Sequence, residues 1–512
     1  MLSIVRSCAV IGLEGTIIEV QTDFNPRAQM PSFIIVGLPD SAVKESRERV
    51  RSAIKNSGMQ FPAKGYVVNL SPADMLKQGP AYDLAIAVGV LASTDQLPLD
   101  ALDEALFVGE LSLDGTVRHV KGVMAMAYTA RENGCKAFYV AADDAPTAAL
   151  VDGLKVIPIN TLGELVEHLY GMNPISPYRI DPNANTRSEV PDGLVDFADI
   201  RGQEHVKRAL EIAAGGNHNV LLSGSPGVGK TLLARAMPGI LPPLTQTEAL
   251  EVTRIYSVAD MLTPGDPLVR FRPFRAPHHT ISQAGLIGGG SIPKPGEVSL
   301  SHRGVLFLDE IVEVHQKTLE VMRQPIEDKI VTISRAKGSL TFPANFLLVG
   351  AMNPCQCGYF GDPVKPCTCT PAMITRYQSK LSGPLIDRID LYVDVPRVDF
   401  DKLMDGAKGE SSADVRMRVT RAREVQAARF AGTNLITNAD MGVSEIDQYC
   451  KLTTQARQLL EVSVKRLQMS ARGYHRVLKL ARTIADLSES ANIDVQHVAE
   501  AVQYRPRSVS FN

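Results

Sequence analysis

At 512 residues, with 45% apolar and 21% charged side chains, the chain has the composition of ordinary globular protein and the length of about three domains. A formal net charge of −2 excludes a global basic field for nucleic acid, so any such contact must come from a local patch. There is no apolar run of about 18 residues to span a membrane, and the opening MLSIVRSCAVIGLEG has too short an apolar core for a signal peptide. Seven cysteines in that setting point to the reducing cytoplasm.

Residues 1–170 alternate short β-type runs with helical stretches. The strand candidates are GTIIEVQTDF (15–24), SFIIVGL (32–38), GYVVNLSP (65–72), EALFVGELSL (104–113), KAFYVA (136–141) and LKVIPI (154–159). Two segments, 41–58 and 123–134, read as helices ending in Gly. Residues 171–195, rich in Pro, Asn, Asp and Ser, read as a linker. An α/β nucleotide-binding domain, a parallel sheet between helices, is expected over 196–400. Residues 401–512 are helical by spacing, as in VRMRVTRAREVQAARF and TTQARQLLEVSVKRLQ.

The most specific signal lies at 219–231, NVLLSGSPGVGKT. An apolar run leads into Gly224, Ser225, Pro226, Gly227, Val228, Gly229, Lys230 and Thr231, and then into the helix-forming LLARAM. That is the strand–loop–helix context of a phosphate-binding loop. Glycines let backbone N–H groups surround phosphates, Lys230 brings a point charge to the outer phosphates, and Thr231 can ligate Mg²⁺. At 305–310, VLFLDE delivers Asp309 to the metal and Glu310 to the attacking water. With both halves in order, the chain is expected to bind and hydrolyse ATP. The run 344–354, ANFLLVGAMNP, ends a buried strand at Asn353, where an amide can orient water or simply cap the strand. Arg388, in LSGPLIDRID, and Arg472 and Arg476, in SARGYHRVLKLARTIADL, have the planar fork suited to γ-phosphate oxygens, although an ion-paired surface arginine is the commoner use.

Four of the seven cysteines fall in the segment Cys355-x-Cys357-x9-Cys367-x-Cys369. Two close pairs on a Gly/Pro/Asp-rich loop can give four thiolates to tetrahedral Zn²⁺. The C-x-C spacing is tighter than usual, and free loop thiols are the alternative. Cys8, Cys135 and Cys450 stand alone and read as core thiols.

Taken in this order, these motifs resemble the ComM/YifB proteins, Mg-chelatase-like AAA+ ATPases. The resemblance rests on DFADIRGQEHVKRALEIAAGGNHNVLLSG, RPFRAPHHTIS (272–282), GGGSIPKPGEVSLSHRGVLFLDE and NPCQCGYFGD, and it covers essentially the whole chain. It implies a homo-hexameric AAA+ ring with ATP sites between subunits and a C-terminal helical lid. Arg388 then matches the finger acting in trans, Arg472 the second-sensor arginine and Asn353 the first sensor. After Asp309 and Glu310 the segment IVEVH departs from the more usual Leu-Pro-Glu-Phe, with the acidic pair itself intact.

The stretch 326–346, IEDKIVTISRAKGSLTFPANF, reads as two strands joined by a polar tip and is similar to the pre-sensor hairpin of MCM-type replicative helicases. Arg335 matches their pore lysine, and Lys337 lies two residues on, so the resemblance implies a channel lined with positive charge for DNA phosphates. Residues 70–91 and 109–134 resemble the proteolytic domain of Lon. Ala81 and Met124 stand at the positions of its nucleophilic Ser and catalytic Lys, so a Ser–Lys mechanism is not expected. Two functions follow. One is an ATP-driven motor on single-stranded or branched DNA, with branch migration in recombination and natural transformation implied by the ComM resemblance. The other is a chaperone-like remodeller related to the Mg-chelatase motor subunit.

Overall fold

A computed structural model describes residues 1–180, 195–263, 266–290, 293–335, 338–398 and 409–505. The chain forms two compact units, Met1–Ser188 with Gln246–Val269, and Glu189–Thr245 with Arg270–Asn512. Most of the expected linker over 171–195 lies outside the described residues.

In the first unit a seven-stranded mixed sheet runs in the order Ser32–Val36, Gly65–Ser71, Glu14–Asn25, Leu2–Ile11, Ala105–Phe107, Ala137–Ala141, Lys155–Ile159. All six expected β runs contribute strands. EALFVGELSL is split around Gly109, where a Cβ would meet Val117 at 2.6 Å. The long first strand, Leu2–Ile11, is an addition to the expected set. Its alternation is mixed, with Ser3 and Ser7 buried beside Val5 while Leu2 and Ile4 are exposed beside Arg6, so the pattern does not announce its inner face.

The helix Asp83–Ser93 is buried along its whole length, packed on the two N-terminal strands and the helix Ser41–Asn56. That burial accounts for the uniformly apolar AIAVGVLAS. Arg49 clamps Asp83 at the helix start, with Nε at 2.6 Å from Oδ2 and a second nitrogen at 3.1 Å from Oδ1.

One segment folds away from its neighbours in sequence. The helix Gln246–Ala259 packs on the helix Val123–Glu132, with the Gly122 N–H donating to Ser257 O at 3.0 Å and Arg254 Nε to Leu13 O at 2.8 Å. Beyond its end, Asp260 takes an ion pair from Lys121 at 2.7 Å and faces His119 Nε2 at 3.1 Å, while His119 Nδ1 meets Asp144 at 2.5 Å. Asp144 first, and then Asp260, push the His119 pKa up to about 9 from an ordinary 6.5. A raised histidine stabilises the fold fully below its unfolded value and loses that contribution as pH rises through the folded one. Thermal melts should therefore lose stability between pH 6.5 and about 9, and His119→Asn should flatten that slope. Equal slopes in the two proteins would contradict this assignment.

The second unit is built on a five-stranded parallel sheet ordered Phe274–Arg275, Val305–Leu308, Leu347–Met352, Val220–Ser223, Leu391–Asp394. Its central strands are continuous apolar runs because both faces are covered. The helices Glu204–Gly216 and Lys230–Ile240 contribute to this core, as do the C-terminal helices Ser412–Arg429, Thr454–Arg466, Ala471–Leu487 and Val495–Gln503. Inside the helical part, Arg429 grips Asp486 with two bonds of 2.7 and 2.6 Å, and the buried Arg482 donates to the same carboxylate at 3.1 Å. A shared acceptor of this kind satisfies one buried and one half-buried cation at once. The architecture is thus an α/β domain on a parallel sheet with a helical C-terminal region, and an N-terminal α+β domain. Among the described residues, no helix is long and apolar enough to cross a membrane.

Candidate functional site

The parallel sheet brings three polar segments to one edge, the carboxyl end of its strands. Ser223 pairs with Met352 and with Asp394, and Leu308 with Gly350. The residues that follow these strands, Gly224, Asp309 and Asn353, therefore emerge side by side. Between them lies a cleft of ≈ 530 Å³ lined by Pro226, Gly227, Gly229, Lys230, Thr231, Asp309, Glu310 and Asn353, with Leu232, Arg235 and Met352.

Local backbone demands explain the glycines. Gly227 and Gly229 sit at φ of 81° and 93°, conformations that other residues rarely adopt, and Gly229 opens the helix Lys230–Ile240. Gly224 is needed for space instead, since a Cβ there would lie 2.4 Å from Val395 O.

The Lys230 ammonium donates to Gly224 O at 2.6 Å, to Ser225 O at 3.1 Å and to Asn353 Oδ1 at 3.1 Å. Burial lowers its pKa, against the opposing charges of Asp309 and Glu310. Thr231 Oγ1 donates to Asp309 Oδ2 at 2.9 Å, and the Glu310 N–H to Asp309 Oδ1 at 3.0 Å. Glu310 has a left-handed backbone, φ 48°, and its carboxylate is half exposed. His279 Nδ1 stands 3.5 Å from that carboxylate. The arrangement can bind a polyphosphate at the helix start, hold a hard cation between a hydroxyl and a carboxylate, and keep a second carboxylate free for water. His279 and Arg235 were not singled out in the sequence. Arg235 follows Thr231 by one helical turn, a usable signal, and His279 lies in the run RPFRAPHHTIS that carries part of the resemblance.

Arg388, Arg472 and Arg476 do not line this cleft. Arg388 bonds Pro384 O at 2.6 Å and pairs with Glu327. Arg472 reaches Asp387 at 3.8 Å, and Arg476 donates to Asp387 O at 2.6 Å. The three arginines thus gather around one short segment, 384–388, away from the nucleotide loop of their own chain.

The strands Ile330–Arg335 and Gly338–Pro343 form an antiparallel hairpin, with Val331 and Phe342 buried at its base. Arg335 ends the first strand opposite Gly338. Its side chain, and all of Lys337, lie outside the described residues.

The four cysteines converge. Cys355, Cys357 and Cys367 have sulfurs 3.4, 3.7 and 3.5 Å apart, and all four, with Cys369, lie within 4.8 Å of one another. A tetrahedral site with bonds of ~2.3 Å has sulfur–sulfur edges of about 3.8 Å, so this donor set fits a thiolate-bound metal. Backbone N–H groups of Tyr359 and Thr368 hold the Cys357 thiol down to about 5. Cys8, Cys135 and Cys450 are buried thiols of the core.

The loop between the cysteine pairs touches the nucleotide loop. Asp362 Oδ1 accepts the N–H groups of Val364 and Lys365 at 2.9 Å, and these, with the Ser225 hydroxyl, hold its carboxyl down to about 2. Its Oδ2 is buried, with Arg397 at 3.9 Å.

Sequence comparison agrees along the whole chain. The magnesium chelatase subunit ChlI family matches residues 196–403, its C-terminal family 409–505, and the family described as subunit ChlI of Mg-chelatase 20–144. Competence protein ComM of Haemophilus influenzae is 41% identical over 507 residues, covering 98% of this chain and 97% of that protein. The chain belongs to the ComM/YifB family. YifB of Escherichia coli is 42% identical over the same length and with the same coverage. Membership of this Mg-chelatase-like AAA+ family implies an ATPase. Lon protease 2 of Bacillus subtilis is 33% identical over 181 residues, 30% of this chain and 32% of that protein.

In this ComM/YifB chain the N-terminal domain is Lon-like. Ala81 and the fully buried Met124 belong to a single apolar cluster, so the two positions expected for a nucleophile and its base hold side chains that can do neither. The nearby lysines are engaged elsewhere. Lys77 is buried and donates to Met75 O at 3.0 Å, and Lys121 pairs with Asp260.

Proposed function

We propose that this chain is the subunit of an ATP-driven homo-hexameric ring that moves on single-stranded or branched DNA, acting as a branch-migration motor in recombination and natural transformation. The observation that carries the ATPase half is the convergence of Lys230, the Thr231–Asp309 pair, Glu310 and Asn353 on one cleft. Lys230 and the backbone of 224–229 bind the phosphates of ATP, Glu310 takes the proton of the attacking water, and Asn353 orients that water. Thr231 and Asp309 would hold Mg²⁺, which when bound would supply positive charge to the phosphate oxygens. Arg388 and Arg472, remote from their own cleft, complete the site of the neighbouring subunit. The four cysteines hold a structural Zn²⁺.

Support for DNA as the load comes from the hairpin with Arg335 at its end and from the relative named as a competence protein. Turnover measured with and without single-stranded or forked DNA should rise several-fold with DNA. Arg335→Ala with Lys337→Ala should remove that rise and shrink the salt dependence of DNA binding by roughly one phosphate contact per lost charge. Turnover indifferent to DNA would contradict the reading. A second reading, a remodeller of other proteins, is favoured by the three chelatase matches, and DNA-indifferent turnover would select it.

A further inference from the structure

The cysteine cluster and the phosphate-binding loop are joined at two points. Gly358 immediately follows Cys357, and its N–H donates to Cys355 O at 3.0 Å, so two of the four thiols bracket a tight turn. Gly358, which closes that turn, has φ 86°, and a Cβ on it would lie 2.7 Å from Cδ and 2.8 Å from Cγ of Pro226. The turn is therefore seated directly on the nucleotide loop, at a position where only glycine fits. Two residues before Cys355, Asn353 accepts from the Lys230 ammonium. Between the two cysteine pairs, Asp362 Oδ1 accepts the N–H groups of Val364 and Lys365 at 2.9 Å and shapes the intervening loop.

We propose that the four-cysteine site is a metal-set clamp on the nucleotide loop. Zn²⁺ bound by Cys355, Cys357, Cys367 and Cys369 fixes the segment between them, and Gly358 transmits that rigidity to Pro226. The clamp holds the loop in its phosphate-binding shape before nucleotide arrives, and removal of the metal lowers affinity for ATP. This rests on the zinc reading above and adds a consequence for a different site. The physical reason is preorganisation: a glycine-rich loop loses conformational freedom on binding phosphate, and an outside support removes part of that cost. Gly358 is a positioning residue, since it does not line the cleft.

The test uses the full chain and reads metal content, affinity for a fluorescent ATP analogue and far-ultraviolet circular dichroism. The clamp predicts one zinc per chain. Chelating that metal should weaken nucleotide affinity roughly tenfold without loss of helical signal, because the loop then has more freedom to lose on binding phosphate, and re-adding zinc should restore it. Gly358→Ala should weaken nucleotide affinity by a similar factor while keeping its zinc, which separates the contact from the metal. Protein that binds no zinc on reconstitution overturns the metal site and the clamp with it. Zinc that can be removed and replaced with nucleotide affinity unmoved overturns the clamp alone, as does a Gly358→Ala protein that binds nucleotide like the parent.

Discussion

Glu310→Gln should bind ATP as tightly as the parent chain and turn it over about 10²–10⁴ times more slowly, the usual contribution of a positioned general base. The side chain is the half-exposed carboxylate of the cleft, beside His279 at 3.5 Å, whereas Asp309 is already committed to Thr231 and to the Glu310 backbone. Amide for carboxylate conserves shape and removes only proton-accepting power, so binding is spared. Trapped nucleotide in a filter assay, with no phosphate release, is the expected result. Retained turnover would assign the base elsewhere, and His279, 3.5 Å from Glu310, would be the first residue to try.

Arg388→Ala should be nearly as damaging, since an arginine acting on a neighbouring γ-phosphate contributes about 10³–10⁵ in rate. Its guanidinium is turned to Glu327 and Pro384 O within its own chain and does not reach its own cleft. That geometry predicts complementation. Arg388→Ala subunits, with an intact nucleotide loop, and Lys230→Ala subunits, with an intact arginine, are each inactive alone. Mixed, they should regain turnover, because some interfaces then join a good loop to a good arginine. No recovery on mixing, under conditions where the subunits assemble, would remove Arg388 from the site.

How legible these features were depends on the range of the interactions behind them. The nucleotide loop could be read residue by residue because its chemistry is local: Gly227 and Gly229 are demanded by φ, and Lys230 and Thr231 by their place at a helix start. Asp309 and Asn353 followed from the end of an apolar strand run. The cysteine cluster was visible from spacing, but its seat on Pro226 was not, because Gly358 is set by a contact with a loop more than a hundred residues earlier. Periodicity also failed where polarity and burial part company. Leu2–Ile11 buries serines and exposes leucine and isoleucine, and Asp83–Ser93 is apolar all round because it is enclosed on every side. The placement of Gln246–Ala259 with the first unit has no local signature, for it depends on Ser257, Asp260 and Arg254 finding partners at Gly122, Lys121 and Leu13.

The most direct test of the whole account is movement. A labelled four-way DNA junction incubated with the protein and ATP should be driven to its separated products. The Glu310→Gln protein should bind the junction and leave it intact. Junctions left unmoved by the parent chain while it hydrolyses ATP would contradict a DNA motor, as would movement that needs no nucleotide.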